Sequence, residues 1–230
     1  MIDDISSYSV GDFIAFTDEV YLRLFERQFE SWWPAHLLLI AVGLAALIFA
    51  WRGNTRIVAV LLGLLLTASA VTFHFRLYAE ITPVGRIFGW AFVVQALLIL
   101  VWGFFTKSRE RLRVSFPVVV GTAIAGFGLA IYPLPGFMTA RRATEAEYLG
   151  LAPDPTVCFV LGILLMCARS WWFLLLFPIP VLWATATGAT LHALELPLTQ
   201  SMMLPVLTAV VVISASISAG LRRRHNTPLA

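Results

Sequence analysis

Residues 33–51 read WPAHLLLIAVGLAALIFAW, an apolar run that contains no Asp, Glu, Lys or Arg. A helix needs roughly 20 mostly apolar residues to cross about 30 Å of hydrocarbon. Tryptophans at both ends of such a run are typical of the two membrane interfaces. The run therefore predicts a membrane-spanning helix, and the rest of the chain is interpreted outward from it.

The composition of the whole chain supports a membrane protein. Of its 230 residues, 60% are apolar and 13% are charged, and the mean hydropathy is +0.86. A soluble domain carries about 25% charged residues, so soluble enzyme classes are excluded. The net charge of +3 is explained by sorting of basic residues across a membrane, so the lipid bilayer is the expected partner and nucleic acid is not.

Further apolar runs predict an all-α, polytopic transmembrane helix bundle. The stretch from Pro155 to Leu191 would be about 55 Å long as one helix, so it is expected to fold back near Arg169. This gives about seven spans, at residues 33–51, 57–73, 87–105, 114–132, 155–168, 171–191 and 202–221. The predicted divisions are an extracytoplasmic segment (1–32), the bundle (33–221) and a basic cytoplasmic tail (222–230).

The charged residues predict the orientation of these spans. Lys and Arg accumulate in short cytoplasmic loops. With seven spans and the N-terminus outside, 10 of the 16 basic residues lie inside and 12 of the 13 acidic residues lie outside. The C-terminus is then cytoplasmic.

The segment before the first span predicts an amphipathic helix from Phe13 to Trp32. Its apolar residues fall on one helical side and its charged residues on the other, and Thr17 is the expected N-cap. Such a helix lies in the outer interface or, alternatively, packs over the bundle as a lid.

Several short motifs follow one another in an order that resembles a known family. They are FTDE at 16–19, WPA at 33–35, FHFRLYAEITP at 73–83, YPL at 132–134, PT at 155–156 and PVLW at 180–183. Their succession resembles DUF6064, a family of bacterial multi-pass membrane proteins of unknown function. The resemblance implies a bundle in the bacterial plasma membrane and carries no established reaction. Where the family pattern has Pro-Cys-Pro-Thr, this chain has Pro153-Asp154-Pro155-Thr156.

A first group of candidate site residues shares one depth in the predicted topology, at the outer rim of the bundle. Imidazole, thiolate and carboxylate groups are ordinary ligands of zinc, copper and iron, so these residues form a candidate metal site. The alternative is that amphipathic side chains simply decorate the membrane interface. The candidates are His36, His74, His192, Glu195 and Cys158.

A second group lies deeper in the predicted bundle and forms a candidate substrate pathway. Gln95 near the middle of the third span binds a solute or ties helices together. Pro178 and Pro180 remove two backbone donors in the sixth span, and Thr185 follows them. Broken helices line binding sites in transporters, but they also occur as plain kinks.

The predicted function is a non-enzymatic membrane component, either a small-solute transport protein or an accessory membrane subunit. The alternative is a metal-dependent membrane enzyme or metal-handling protein built on the rim residues. Small residues at four-residue spacing, such as Gly121 with Ala125 and Ala184 with Gly188, predict close helix packing. That packing is compatible with contacts inside one bundle, with a homo-oligomer, or with a membrane complex.

Overall fold

The computed structural model describes residues 16–108, 111–134, 143–168, 172–195 and 205–212. Within these ranges the chain is helical and has no strand, which confirms the predicted all-α class. The helices are α1 (Asp18–Trp32), α2 (Ala35–Trp51), α3 (Thr55–Ser69), α4 (Val84–Phe105), α5 (Phe116–Gly126), α6 (Pro153–Cys167), α7 (Trp172–Leu176), α8 (Pro178–Ala193) and α9 (205–212). The remainder of the predicted seventh span and the tail at 222–230 lie outside the described residues.

Two of these helices continue beyond their α-helical part into π-helical turns. After α3 the chain runs through the π-helical segment Ala70–Tyr78 and the short turn Ala79–Ile81, so that Thr55–Ile81 is one helix of 27 residues. After α5 it continues through Phe127–Ile131 in the same way. The predicted end of the second span at Phe73 is therefore wrong, because the helix continues with His74 and Tyr78 buried on its inner side, while Arg76 and Glu80 are exposed.

The lengths of the described helices support fewer spans than the apolar runs do. Two helices are long and apolar enough to cross a membrane, Thr55–Ile81 and Val84–Phe105. A third span results if α1 and α2, which meet at a bend of 93°, are counted together. Phe116–Ile131 and Pro153–Cys167 are apolar but shorter, and the proline-rich stretch that follows is divided into α7 and α8. The seven-span count is not supported by this criterion.

Helix α6 is the centre around which the other helices pack. Every residue from Leu151 to Ala168 is buried, as expected for a helix that is apolar on all sides. Its closest neighbour is α5, where a Cβ on Gly162 would collide with the backbone of Ala125, and a Cβ on Gly121 with the backbone of Gly162. The predicted close packing through Gly121 and Ala125 is thus confirmed as a contact inside the bundle.

Helix α1 packs across one end of the bundle, as in the lid alternative. Thr17 is its N-cap, since its hydroxyl accepts a hydrogen bond from the backbone N–H of Val20 at 3.4 Å. On its inner side, buried Gln28 donates to the hydroxyl of Thr72 at 3.1 Å and to the carbonyl of Leu151 at 3.0 Å. The amphipathic helix is confirmed, and these bonds fix it to the protein rather than leaving it on a membrane surface alone.

Long-range contacts sort the helix termini into two ends of the bundle. At one end, the hydroxyl of Thr55 at the start of α3 donates to the carbonyl of Thr106 after α4, at 3.2 Å. At the other, the start of α6 bonds to the residue after the π-helical extension of α5 and to Trp183 in the first half of α8. We call this second end the Asp154 end.

Candidate functional site

A buried carboxyl group, that of Asp154, lies at the centre of the Asp154 end. Asp154 is the second residue of α6 and is 0% exposed. The indole N–H of Trp183 in α8 donates to Oδ1 at 2.7 Å, and the hydroxyl of Tyr132 donates to Oδ2 at 3.2 Å. Thr187, one turn after Trp183, lies near the same carboxyl group outside hydrogen-bond geometry. Helix α8 and the residue after the π-helical extension of α5 therefore converge on one acidic side chain of α6.

The hydrogen-bond donors of Asp154 are neutral, and no cation balances it in the described part of the chain. The ion pair of Arg27 with Glu80, at 3.0 Å, lies elsewhere, and both of its side chains are exposed. A carboxylate offers about four acceptor positions, of which Trp183 and Tyr132 occupy two. Glu147 is buried as well, and it acts electrostatically on the Tyr132 hydroxyl together with Asp154. Asp154 therefore keeps acceptor positions beyond the two that these donors occupy.

Next to this carboxyl group lies a narrow cleft, which we call the aromatic cleft. Its volume of about 10 Å³ is that of a single water molecule. Four aromatic side chains, from α1, the π-helical extension of α3, α4 and α8, form its walls, and two threonines of α8 supply hydroxyl groups. The lining residues are Tyr21, Tyr78, Phe88, Trp183, Ala186, Thr187 and Thr190.

His74 packs against the wall of the aromatic cleft. It is 0% exposed, and neither of its ring nitrogens has a hydrogen-bond partner. Its ring centroid lies 4.4 Å from that of Phe92 and 4.7 Å from that of Trp183. His74 is therefore a core residue enclosed by aromatic rings, and it contacts the residue that donates to Asp154.

Both π-helical segments lead into this site. Ala70–Tyr78 carries His74 and Tyr78, and Phe127–Ile131 ends immediately before Tyr132. A π-helical turn accommodates an extra residue and is frequently found at functional sites. Here the two segments deliver a wall of the cleft and a donor to Asp154.

The structure does not bring the predicted metal ligands together. His36 lies in a separate aromatic contact, with ring centroids 4.8 Å from Trp33, 5.0 Å from Tyr148 and 5.2 Å from Phe29. Burial raises the pKa of the Tyr148 hydroxyl, so this hydroxyl stays protonated.

The remaining predicted ligands occupy further surroundings. Cys158 is buried on α6 beside Gly128, whereas His192 and Glu195 are exposed at the end of α8. Across the described ranges no three His, Cys, Asp or Glu residues form a group that could hold a metal ion. The predicted convergence is therefore wrong: a common depth along the helices did not imply a common side of the bundle.

Gln95 connects two helices at the position where a proline removes a donor. The break between α7 and α8 falls at Phe177, directly before Pro178. In a continuous helix the N–H of residue 180 would bond the carbonyl of Leu176, but Pro180 has no N–H. The side-chain amide of Gln95 donates to that carbonyl at 2.7 Å. The interhelical role considered for Gln95 is thus observed, while its amide oxygen is buried without a partner.

Thr185 lies away from the cleft. Its side chain is exposed, and its hydroxyl donates to the carbonyl of Val181 in its own helix at 2.9 Å. The threonines that line the cleft are instead Thr187 and Thr190.

Comparison with known proteins places the chain in one family. The family of unknown function DUF6064 matches residues 18–226. The chain belongs to DUF6064. No curated protein and no solved structure matches it.

The central residues of this DUF6064 protein are not among the candidates that the sequence offers, and Asp154 lies just before the span predicted at 155–168. A signal was present: Asp154 stands between two prolines at the head of an apolar run, in Pro153-Asp154-Pro155-Thr156. Prolines are favoured in the first turn of a helix, so this motif marks a helix start that places an acidic side chain inside the bundle. Its partner Trp183 had no comparable signal, because any indole in an apolar run also fits simple packing.

Proposed function

We propose that this DUF6064 protein is an integral protein of the bacterial plasma membrane that binds a small solute in the aromatic cleft. It acts either as a small-solute transport protein or as an accessory membrane subunit. The observation that carries the proposal is the buried carboxyl group of Asp154. An ionisable side chain inside an apolar bundle is costly, and in membrane proteins it usually belongs to a solute or ion pathway.

The outer surface of the helices supports membrane insertion. Large apolar side chains project from it, including Leu38 at 68% exposure, Ile87 at 67% and Phe105 at 79%. Soluble monomers rarely expose wide apolar patches, whereas hydrocarbon is a suitable environment for such side chains. The two or three helices of spanning length agree with this interpretation.

The arrangement of helix ends supports the finer proposal of seven up-and-down segments. The ends of α3, α5 and α8 and the starts of α4 and α6 all contribute to the Asp154 end. Helix ends and helix starts alternate at the same end of a bundle when a chain crosses a membrane repeatedly. Together with the distribution of charges, it favours an N-terminus outside the cell and a C-terminus in the cytoplasm.

A binding role suits the geometry of Asp154 better than a catalytic one. Neutral donors hold each carboxylate oxygen in place, and the cleft beside it is lined by aromatic rings and hydroxyl groups. The donors hold the carboxyl group of Asp154 in a fixed position, and the aromatic rings and hydroxyl groups provide contacts for a solute. The metal-based alternative gains no support, since the predicted ligands are dispersed.

The test is a screen of small solutes against detergent-purified protein, with the thermal midpoint of unfolding as the readout. A solute at 100 times its Kd stabilises the folded state by about 2.7 kcal/mol. We expect at least one solute to raise the midpoint of the wild type and not that of Asp154→Asn. The control is Glu30→Gln, which removes an acidic group from the exposed side of α1 and should respond like the wild type. A complete screen without a response, or equal responses in wild type and Asp154→Asn, would contradict the proposal.

Solute uptake into proteoliposomes then separates the two roles. A transport protein moves the identified solute across the membrane by itself, whereas an accessory subunit binds it without transport.

A further inference from the structure

We infer that the end of the bundle opposite to the Asp154 end binds anionic phospholipid. Basic side chains there hold the phosphate group, and the apolar side chains beside them contact the acyl chains. This surface, which we call the basic end, consists of the turn at residues 52–56 and the segment 105–116. The inference rests on the membrane insertion proposed above and is independent of any solute.

Hydrogen bonds hold the two segments of the basic end side by side. The hydroxyl of Thr55 donates to the carbonyl of Thr106 at 3.2 Å and lies 3.4 Å from the hydroxyl of Ser108. Further along, the backbone N–H of Leu112 donates to the carbonyl of Trp51 at 3.1 Å. The basic residues on either side of these contacts therefore belong to one surface.

The charge of this surface is strongly positive. The sequence has six basic residues and one acidic residue, Glu110, in these two segments, which gives a formal charge of +5. Clusters of about four to eight lysines and arginines next to a membrane helix are typical of anionic-lipid binding. The five basic side chains that the structure describes here are all exposed, and they are Arg52, Arg56, Lys107, Arg111 and Arg113.

Exposed apolar side chains border the charged ones. Phe105, Val114 and Phe116 are each at least 70% exposed, and each stands within three residues of a basic one. The guanidinium of Arg52 lies 5.6 Å from the centroid of the Phe49 ring, so basic and apolar groups are also in direct contact. This combination fits the two parts of a phospholipid, whereas a nucleic acid or a free phosphate would leave the apolar side chains uncovered.

The experiment places a fluorophore at either end of the bundle, in full-length protein reconstituted into phosphatidylcholine vesicles. Both native cysteines are buried, so bimane can be attached to Val114→Cys at the basic end. The matched site is Leu38→Cys, which is exposed near the start of α2, the opposite end of the helix that ends at Trp51. Lipids with a nitroxide on the acyl chain quench a bimane group that they contact.

The measured quantity is the binding constant of nitroxide-labelled phosphatidylglycerol relative to that of labelled phosphatidylcholine. We expect a preference of about fivefold at Val114→Cys, the effect of one basic residue near a charged surface, and none at Leu38→Cys. The preference should disappear in roughly 1 M salt, where the screening length falls to about 3 Å. Equal binding of the two lipids at Val114→Cys, or equal preferences at the two sites, would overturn the inference.

Paired charge removals connect the preference to this surface. Arg52→Gln together with Arg111→Gln should lower the preference at Val114→Cys to about twofold or less, because two cationic side chains are lost. Arg23→Gln together with Arg86→Gln removes the same charge from exposed positions on α1 and α4 and should leave it unchanged. Circular dichroism and gel filtration establish that both variants are folded. An unchanged preference in the first pair, or an equal loss in the second, would refute the assignment to the basic end.

The same data separate this inference from the proposed membrane insertion. If both labelled lipids quench the fluorophores equally, the insertion stands and the preference for anionic lipid is wrong. If neither lipid quenches either fluorophore, the insertion is wrong and the inference fails with it.

Discussion

The hydrogen bond from Gln95 to the carbonyl of Leu176 allows a quantitative test of how the broken helix is stabilised. We consider replacement of Gln95 by Met, which has a similar volume and no donor. The carbonyl of Leu176 then loses its partner, because Pro180 cannot supply one. An unsatisfied buried group costs about 1–3 kcal/mol, but hydrogen bonds between membrane helices are worth on average about 0.6 and at most about 1.7 kcal/mol.

The substitution also has an opposing effect. The amide oxygen of Gln95 is buried without a partner in the wild type, and its removal relieves part of that cost. The net change for Gln95→Met alone is therefore small and is not decisive. The informative quantity is the coupling between residues 95 and 180, obtained from a double-mutant cycle.

Replacement of Pro180 by Ala restores a backbone N–H that can bond the carbonyl of Leu176 within its own helix. In that background Gln95→Met should cost less than in the wild type, and we expect a coupling of about 1 kcal/mol. The free energy of unfolding can be measured by titration with sodium dodecyl sulfate in mixed micelles, followed by circular dichroism.

Pro178→Ala is the matched control for this cycle. It returns a donor to the carbonyl of Leu174, not to that of Leu176, and should therefore show no coupling to Gln95→Met. Equal coupling for the two prolines, or none for Pro180, would refute the explanation that Gln95 replaces the donor removed at that position.

Three further predictions concern packing, topology and the attachment of α1. Gly162→Ala should lower the free energy of unfolding by about 1–3 kcal/mol or more, because the added Cβ meets the backbone of α5. Gly126→Ala is the control, since nothing lies within 4 Å of a Cβ at that position. It should be neutral or stabilise the protein by up to about 1 kcal/mol. Both native cysteines are buried, so introduced cysteines should dominate labelling by a membrane-impermeant maleimide. On intact cells the reagent should label Glu145→Cys, and it should label Lys107→Cys only after permeabilisation. The reverse pattern would invert the proposed orientation. Gln28→Leu removes two donated hydrogen bonds and should lower the thermal midpoint and increase proteolytic cleavage in α1, whereas Glu30→Gln on the exposed side should change neither.

The pattern of apolar residues predicts the helices well in segments that are apolar along their whole length. The first span was expected at 33–51 and α2 occupies Ala35–Trp51; the third was expected at 87–105 and α4 occupies Val84–Phe105. The second span failed at its end. His74 and the residues after it are polar or aromatic and indicate a return to water, but His74 is buried against Phe92 and Trp183, while Arg76 and Glu80 are exposed on the same continuing helix.

The candidate site could not be derived in the same way, because it depends on distant contacts. Asp154 obtains its donors from residues 22 positions before it and 29 positions after it. Periodicity along the chain gives the depth of a side chain in the bundle, but not the side of the helix that meets a given neighbour. This is why His36 and His74 were expected together and are found in different aromatic surroundings.

The central position of α6 has a consequence for the synthesis of the protein. At 1.5 Å per residue its 15 residues extend about 22 Å, and every side of the helix is covered by protein. As α6 leaves the ribosome it has α5 beside it, but α8 has not yet been made, and Trp183 follows Asp154 by 29 residues. Until that tryptophan arrives, the carboxyl group has only Tyr132 as a donor. The late-synthesised α8 therefore completes the surroundings of α6, and ribosome-bound chains that end before Trp183 should retain an accessible Asp154.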